Sequence, residues 1–311
     1  MKLRYYILCA FCLNAVILFA QKSTIAARLG YPPDAKMLII HADDLGVAHS
    51  ENMASIKGLK ESPVNSASIM VPCPWFPEIA DYAQKNKTMD FGLHLTLNSE
   101  WKNYKWGSVT SKDAVAGLLN DKGYFYASVD SVGKFASAEE VALELRNQVK
   151  KAYQFGIDVT HLDTHMGAAM STPEFLEAYI KVGQEFNLPV LLNDRIAAMK
   201  NDRIQKLLTS SDVIVDQVYS IGPLEFEKGM EKYYTNVFKS LAPGLSCLLI
   251  HLAYDDVEMQ GVTIDHPDWG AAWRQADFDF FMSPECAQIL KEENIVLVTW
   301  REIRDKITRA K

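Results

Sequence analysis

The chain has 311 residues, 49% hydrophobic and 23% charged, the profile of a globular protein with room for one large barrel-type domain or two smaller ones. A formal charge of -7, with no basic run to make a local exception, argues against nucleic acid or an anionic membrane as partner.

Lys2 and Arg4 precede an apolar stretch from Tyr5 to Ala20, and the chain turns polar at Gln21. That order describes a secretory signal peptide over residues 1–20, with an exported, periplasmic or extracellular protein of residues 21–311 as its consequence. The rival reading is an uncleaved N-terminal anchor, for which this stretch is short against the roughly 20 residues of a membrane helix. Beyond it lie three cysteines, Cys73, Cys247 and Cys286. An odd number leaves a thiol unpaired, so no disulfide framework is expected.

Met37 to Ile40 reads as a first buried strand, followed by Asp43, Asp44 and a turn at Gly46. Glu51 to Lys60 reads as a helix with Ser50 as its N-cap. Asn65 to Val71 is a second strand, Pro77 to Lys85 a helix, and Asp90 to Leu95 a third strand. Residues 98–136 lack periodicity and read as a long loop with a helical piece at Ala114 to Leu119. Ser137 caps a strong helix from Ala138 to Phe155, with Glu139 and Glu140 in its first turn. A fourth strand covers Val159 to Asp163, then a helix Pro173 to Phe186. Strands at Pro189 to Leu192 and Val213 to Val215 follow, then a helix Phe226 to Leu241. Cys247 to Leu252 is a seventh strand. A second long loop at 253–284 precedes a helix Glu285 to Glu293 and an eighth strand Ile295 to Trp300. Strands alternating with helices predict a parallel α/β barrel, closed or distorted, of seven to eight strands in a single domain.

The unusual residues fall in one place on that scheme. His94, His161 and His251 sit at or near the ends of the third, fourth and seventh strands, His165 just beyond the fourth, and Asp43 and Asp44 just beyond the first. In a parallel barrel those ends share one face. A lone histidine at a strand end is more often a hydrogen-bonded core residue, and an Asp-Asp pair before glycine is ordinary turn chemistry. Their coincidence on one face points instead to a divalent metal site.

Ile40-His-Ala-Asp-Asp-Leu-Gly46 resembles the Asn-Ala-Asp-Asp-Phe-Gly signature of the YdjC-like carbohydrate deacetylases. Gly92-Leu-His-Leu95 and Thr160-His-Leu-Asp-Thr-His165 are similar to that family's second and third motifs, in the same order and spacing. The resemblance runs from about Met37 to Arg301. It implies a barrel-like fold and hydrolysis of the N-acetyl group of a sugar or oligosaccharide with one divalent metal. Position by position, it implies Asp44, His94 and His165 as metal ligands, Asp43 as catalytic base and His251 as the acid. Two departures touch the substrate pocket. Met166, Gly167, Ala168 and Ala169 stand where the family commonly has further histidines. Leu252-Ala-Tyr-Asp-Asp256 replaces the Pro-Gly that commonly follows the late histidine.

The chemistry can also be stated from the residues. An Asp-His-His set leaves positions for water and a substrate oxygen, and a bound metal lowers that water's pKa. Zinc or magnesium leads, with manganese, nickel and cobalt admitted by the same ligands. Asp163 is expected to orient a ligand, with His161 as a further support or a neutral core residue. Arg195 reads as a partner for Asp43 or a substrate contact, or as an ordinary rim residue. Trp101, Tyr104 and Trp106 either stack on sugar or pack down the loop. Another hydrolase on a phosphate ester or other amide, and a silent glycan-binding barrel, are the competing functions.

Overall fold

The computed structural model describes residues 24–310, so the expected signal peptide lies outside the described residues. Among the described residues nine strands carry the fold: β1 (Lys36–Leu45), β2 (Ser66–Ile69), β3 (Phe91–Leu95), β4 (Leu162–Thr164), β5 (Leu192–Asn193), β6 (Ile214–Val215), β7 (Gln217–Ser220), β8 (Gly244–Ile250) and β9 (Ile295–Leu297). Every strand pairing is parallel. The main sheet runs β4-β3-β2-β1-β8-β7, and β9 also pairs with β1. Leu162 bridges to Val190 before β5, β5 pairs with β6, and Asp216 N donates to Leu245 O where β6 passes into β7. The strands therefore curl into a distorted barrel.

The ten-residue β1 is the axis of this arrangement. Its lower half pairs with β9 and its upper half with β2 on the same side, while β8 runs along the other. Asn65 fills the fork. Its Oδ1 accepts from Ile40 N and its Nδ2 donates to Val298 O, satisfying backbone groups that neither strand reaches.

Alternation along β1 sorts its side chains. Leu38, Ile40 and Ala42 join the large core between sheet and helices. Met37 and Ile39 join a second cluster with Val213, Val215, Leu245 and Cys247, closed below by Ala26, Leu29, Trp300 and Ile307. This second cluster is the barrel interior, and His41 and Asp43 continue its row upward.

Several elements differ from the sequence reading. The first long helix spans His49–Glu61 and has Ala48, not Ser50, as its N-cap. Glu258, from the helix Val257–Val262, accepts from His49 N and Ser50 N instead, a carboxylate placed at a helix N-terminus from a distant segment. The segment 253–284 is largely helical. Ala271–Phe281 buries Trp273, Arg274, Asp277, Phe278, Phe280 and Phe281 around much of its circumference, which erases the amphipathic pattern. Segment 98–136 likewise contains a helix at Val129–Phe135. The helix expected from Phe226 to Leu241 is two, parted at Gly229 with φ 103°. Strand β7 was missed because its burial is only partial. The last strand stops at Leu297, and Trp300 opens a helix whose N–H donates to the buried Asp90. Cys73, Cys247 and Cys286 are buried free thiols. Among the described residues no helix is long and apolar enough to cross a membrane.

Candidate active site

Two consecutive strand residues normally face opposite sides, yet Asp43 and Asp44 are both directed into the same cavity. The backbone explains it. The β1–β2 register shifts between Ala42 and Leu45, and Asp44 has φ 68°. Asp tolerates this left-handed conformation better than most residues. Gly46 follows at φ 97°, where an added Cβ would sit 3.1 Å from Met70 O.

Around this bulge, β3 supplies His94 and the turn after β4 supplies His165. His94 Nε2 lies 3.3 Å and His165 Nδ1 3.2 Å from Asp44 Oδ1. One ligand atom from each residue lies within 4.8 Å of the others. Each imidazole is aimed by a carboxylate behind it, Asp163 Oδ1 at 2.8 Å from His94 Nδ1 and Glu100 Oε2 at 3.0 Å from His165 Nε2. All three candidate ligands are at most 5% exposed.

The donor set fits a divalent cation. Asp44 Oδ1 is buried without a hydrogen-bond partner although a ring nitrogen of His94 and one of His165 lie within 3.3 Å, the spacing of ligands sharing a centre rather than of a bonded pair. Burial would push the Asp44 carboxyl up, but Arg274 and His165 carry it well below the usual carboxylate range. Burial would push His165 down, but Glu100 and Asp44 raise it to about 10. The pocket thus calls for positive charge at the point where three ligand atoms meet.

Asp43 sits on the interior side of the pair. Its Oδ1 lies 3.0 Å from His41 Nε2 and accepts from Ser68 Oγ at 3.2 Å. His41 Nε2 is also 2.7 Å from Asp163 Oδ2, and its Nδ1 is 2.9 Å from Ser66 Oγ. Burial opposes a charge on His41, but hydrogen bonds to Asp163 and Asp43 raise it to about 10. On the other side Arg274 donates to Asp44 Oδ2 at 2.8 Å and pairs with the fully buried Glu51. Burial pushes Glu51 up, partly countered by Arg274.

His251, just after β8, reaches to 3.9 Å from Asp44 Oδ2. Burial pushes it down to about 4. It is therefore neutral, not protonated, around pH 7. Its backbone N donates to Asp277, whose carboxyl burial pushes up to about 7. His161 lines neither cavity at the site. It stacks on Trp300 at 5.1 Å, edges against His41, and is held neutral by burial beside that cation. Gly92 makes room for it, since a Cβ there would lie 2.3 Å from its ring. Arg195 is exposed on the helix Asp194–Ala197 and has no ion pair with Asp43; the guanidinium at the site belongs to Arg274. Trp101 is 2% exposed, packed against Tyr104 and Trp106 with Arg274 over its ring. Its edge still lines the main cavity.

That cavity holds about 430 Å³ and opens past Met166, Ser220, His266 and Trp269. The sequence reading missed Glu100, Glu51 and His41. Only His41 carried a signal, standing two residues before Asp43 on one strand and hence on one face.

The profile of the YdjC-like protein family matches residues 37–292. The chain belongs to the YdjC-like family. A carbohydrate deacetylase of Thermus thermophilus is 28% identical over 277 residues, covering 88% of this chain and 95% of that protein. One from Thermoanaerobacter pseudethanolicus is 25% identical over 266 residues, covering 85% and 98%. A crystal structure from Enterococcus faecalis V583, named as a cellobiose-phosphate cleavage protein, superposes with a TM-score of 0.72 at 19% identity. It covers 86% of this chain and 99% of that one, and at that identity the likeness is one of fold.

Proposed function

We propose that this protein is a metal-dependent hydrolase that removes the acetyl group from an N-acetylated sugar or oligosaccharide. The observation that carries the reading is the convergence of Asp44, His94 and His165 on one buried point, with Asp43 beside it. The names of its YdjC-like relatives support the sugar and the acetyl group. Asp44, His94 and His165 would hold one divalent ion, zinc or magnesium first, and its part is to acidify a water and draw charge from the amide oxygen.

The chain's own residues do the rest. Asp43 takes the proton of the attacking water. His41 and Ser68 hold its Oδ1, which leaves Oδ2 for that proton. Asp163 and Glu100 fix the two rings. His251 starts neutral, receives the proton that Asp43 took from the water as negative charge develops at the amide oxygen, and passes it to the departing amine across the same cavity. Trp101, Trp269 and Met166 shape the approach for a ring-sized substrate.

A phosphate ester suits the cavity less well. The guanidinium that lines it is already shared by Asp44 and Glu51. The signal-like residues 1–20 support export as the setting. Acetate release from small N-acetylated oligosaccharides is the test, expected to stop with a chelator and return with added divalent metal. Absence of acetate with zinc, magnesium, manganese, nickel and cobalt each supplied would refute the reading.

A further inference from the structure

The barrel interior at the level of Asp43 is divided. On β1 to β4 it is polar, with His41, Asp43, Ser66, Ser68, His94 and Asp163. Just before β5 and on β7 and β8 it is apolar, with Asn193 of β5 as a polar exception. Leu191, Val218 and Leu249 pack there against the interior cluster and yet keep accessible surface. With Met170, Asn193 and Asp163 they wall a side chamber of about 140 Å³, most of its exposed lining apolar, that meets the main cavity at Asp43, His94, Thr164, Gly167 and Leu249.

Asp43 stands at the junction. The candidate metal ligands Asp44 and His165 line only the main cavity. An amide carbon held between Asp43 and the ligand set has two ways to place its substituents. The sugar-bearing nitrogen needs the wide opening, so the acyl chain falls to the apolar side. An apolar cavity of about 150 Å³ is large enough to take benzene. An acetyl methyl would leave most of this chamber unfilled.

Resting on the deacetylase reading, we propose that the chamber is an acyl pocket that selects N-acyl groups longer than acetyl, of about four to six carbons. The reaction stays a hydrolysis. Water adds its oxygen to the acyl carbon, the C–N bond breaks, and the water's proton ends on the amine. The products are a short-chain carboxylate and the free amino sugar.

One amino-sugar oligosaccharide, N-acylated with acetyl, butyryl or hexanoyl, tests the proposal on the metal-loaded protein. The butyryl substrate is expected to exceed the acetyl one in kcat/KM by about tenfold, the scale of added methylenes in an apolar pocket. Val218→Phe and Leu191→Phe, which fill the chamber from two walls, should each bring that ratio below one. A ratio taken within one preparation is unaffected by loss of folded protein. Acetate release with butyrate release tenfold slower would overturn the acyl pocket and leave the deacetylase reading standing. An unchanged ratio in both variants would overturn it as well. No release from any of the three substrates would overturn both.

Discussion

Arg274 is the side chain on which the site's electrostatics and the protein's stability meet. It is 3% exposed, donates to Asp44 Oδ2 and pairs with Glu51, which is fully buried. Arg274→Met keeps volume and apolar stem but leaves Glu51 without its partner. Removing one member of a buried ion pair costs about 3–5 kcal/mol, because the remaining charge stays desolvated. We expect that loss in urea unfolding at pH 7, measured with chelator so that metal binding does not contribute. Glu51→Gln in the same chain should recover more than half of it, giving a coupling of about 2 kcal/mol or more. The pH trend has a definite sign. Without Arg274 the Glu51 carboxyl in the folded state is raised further above its unfolded value. The deficit should therefore be largest at neutral pH and shrink as pH falls toward about 4.5, where both states bind the proton. A loss under 1 kcal/mol, or a deficit that grows on acidification, would refute the assignment.

Purified protein should hold near one equivalent of divalent metal, and a His94→Ala, His165→Ala double variant should lose it; a metal-free parent after incubation with zinc, nickel and manganese would remove the basis of the proposed chemistry. Asp43→Asn is expected to abolish acetate release while leaving metal content unchanged, and joint loss of both would make Asp43 a ligand. His41 is raised to about 10 against an unfolded value near 6.5. Its stabilising contribution is fully present below about 6.5 and disappears as pH rises through 10. The unfolding free energy of the parent should thus fall over that window by on the order of a few kcal/mol more than that of His41→Asn. Parallel curves for the two proteins would count against a buried imidazolium. Gly92→Ala places a methyl against the His161 ring and should cost about 1–3 kcal/mol or more by unfolding.

Much of this fold was legible because its strands are short apolar runs bounded by turns and its helices carry ordinary signals. The Ser137–Glu140 capping box, for example, sits where the sequence puts a helix start. The strand-end rule also placed Asp43, Asp44, His94, His165 and His251 around one cavity. What escaped has physical reasons. The helix at Ala271–Phe281 is apolar on several sides because it is packed between the site and the outer core, so its period is hidden. Glu51 resembles any acidic first-turn residue, and only the distant Arg274 shows why it is buried. Arg195 was the arginine next to a predicted strand end, but the chain turns outward at Asp194 and leaves it in solvent.

Two adjacent carboxylates below the surface demand positive charge, and the protein itself supplies it on both flanks. His41 faces Asp43 from within the barrel, and Arg274 faces Asp44 from the helix outside. The pair is thereby pulled apart into separate environments, one carboxylate to each cation. Desolvation of the pair is consequently no argument for a metal by itself. Asp44 Oδ1, which neither His41 nor Arg274 satisfies, carries the metal assignment, with a ring nitrogen of His94 and one of His165 each within 3.3 Å. Asp163 ties the two halves together, touching His41 through one oxygen and His94 through the other. A change at His41 therefore reaches the metal-side ring as well as the base. His41→Asn should weaken metal affinity by about tenfold, the scale for a lost outer contact, in addition to lowering turnover. An affinity equal to the parent's would show that Asp163 holds His94 without help from His41.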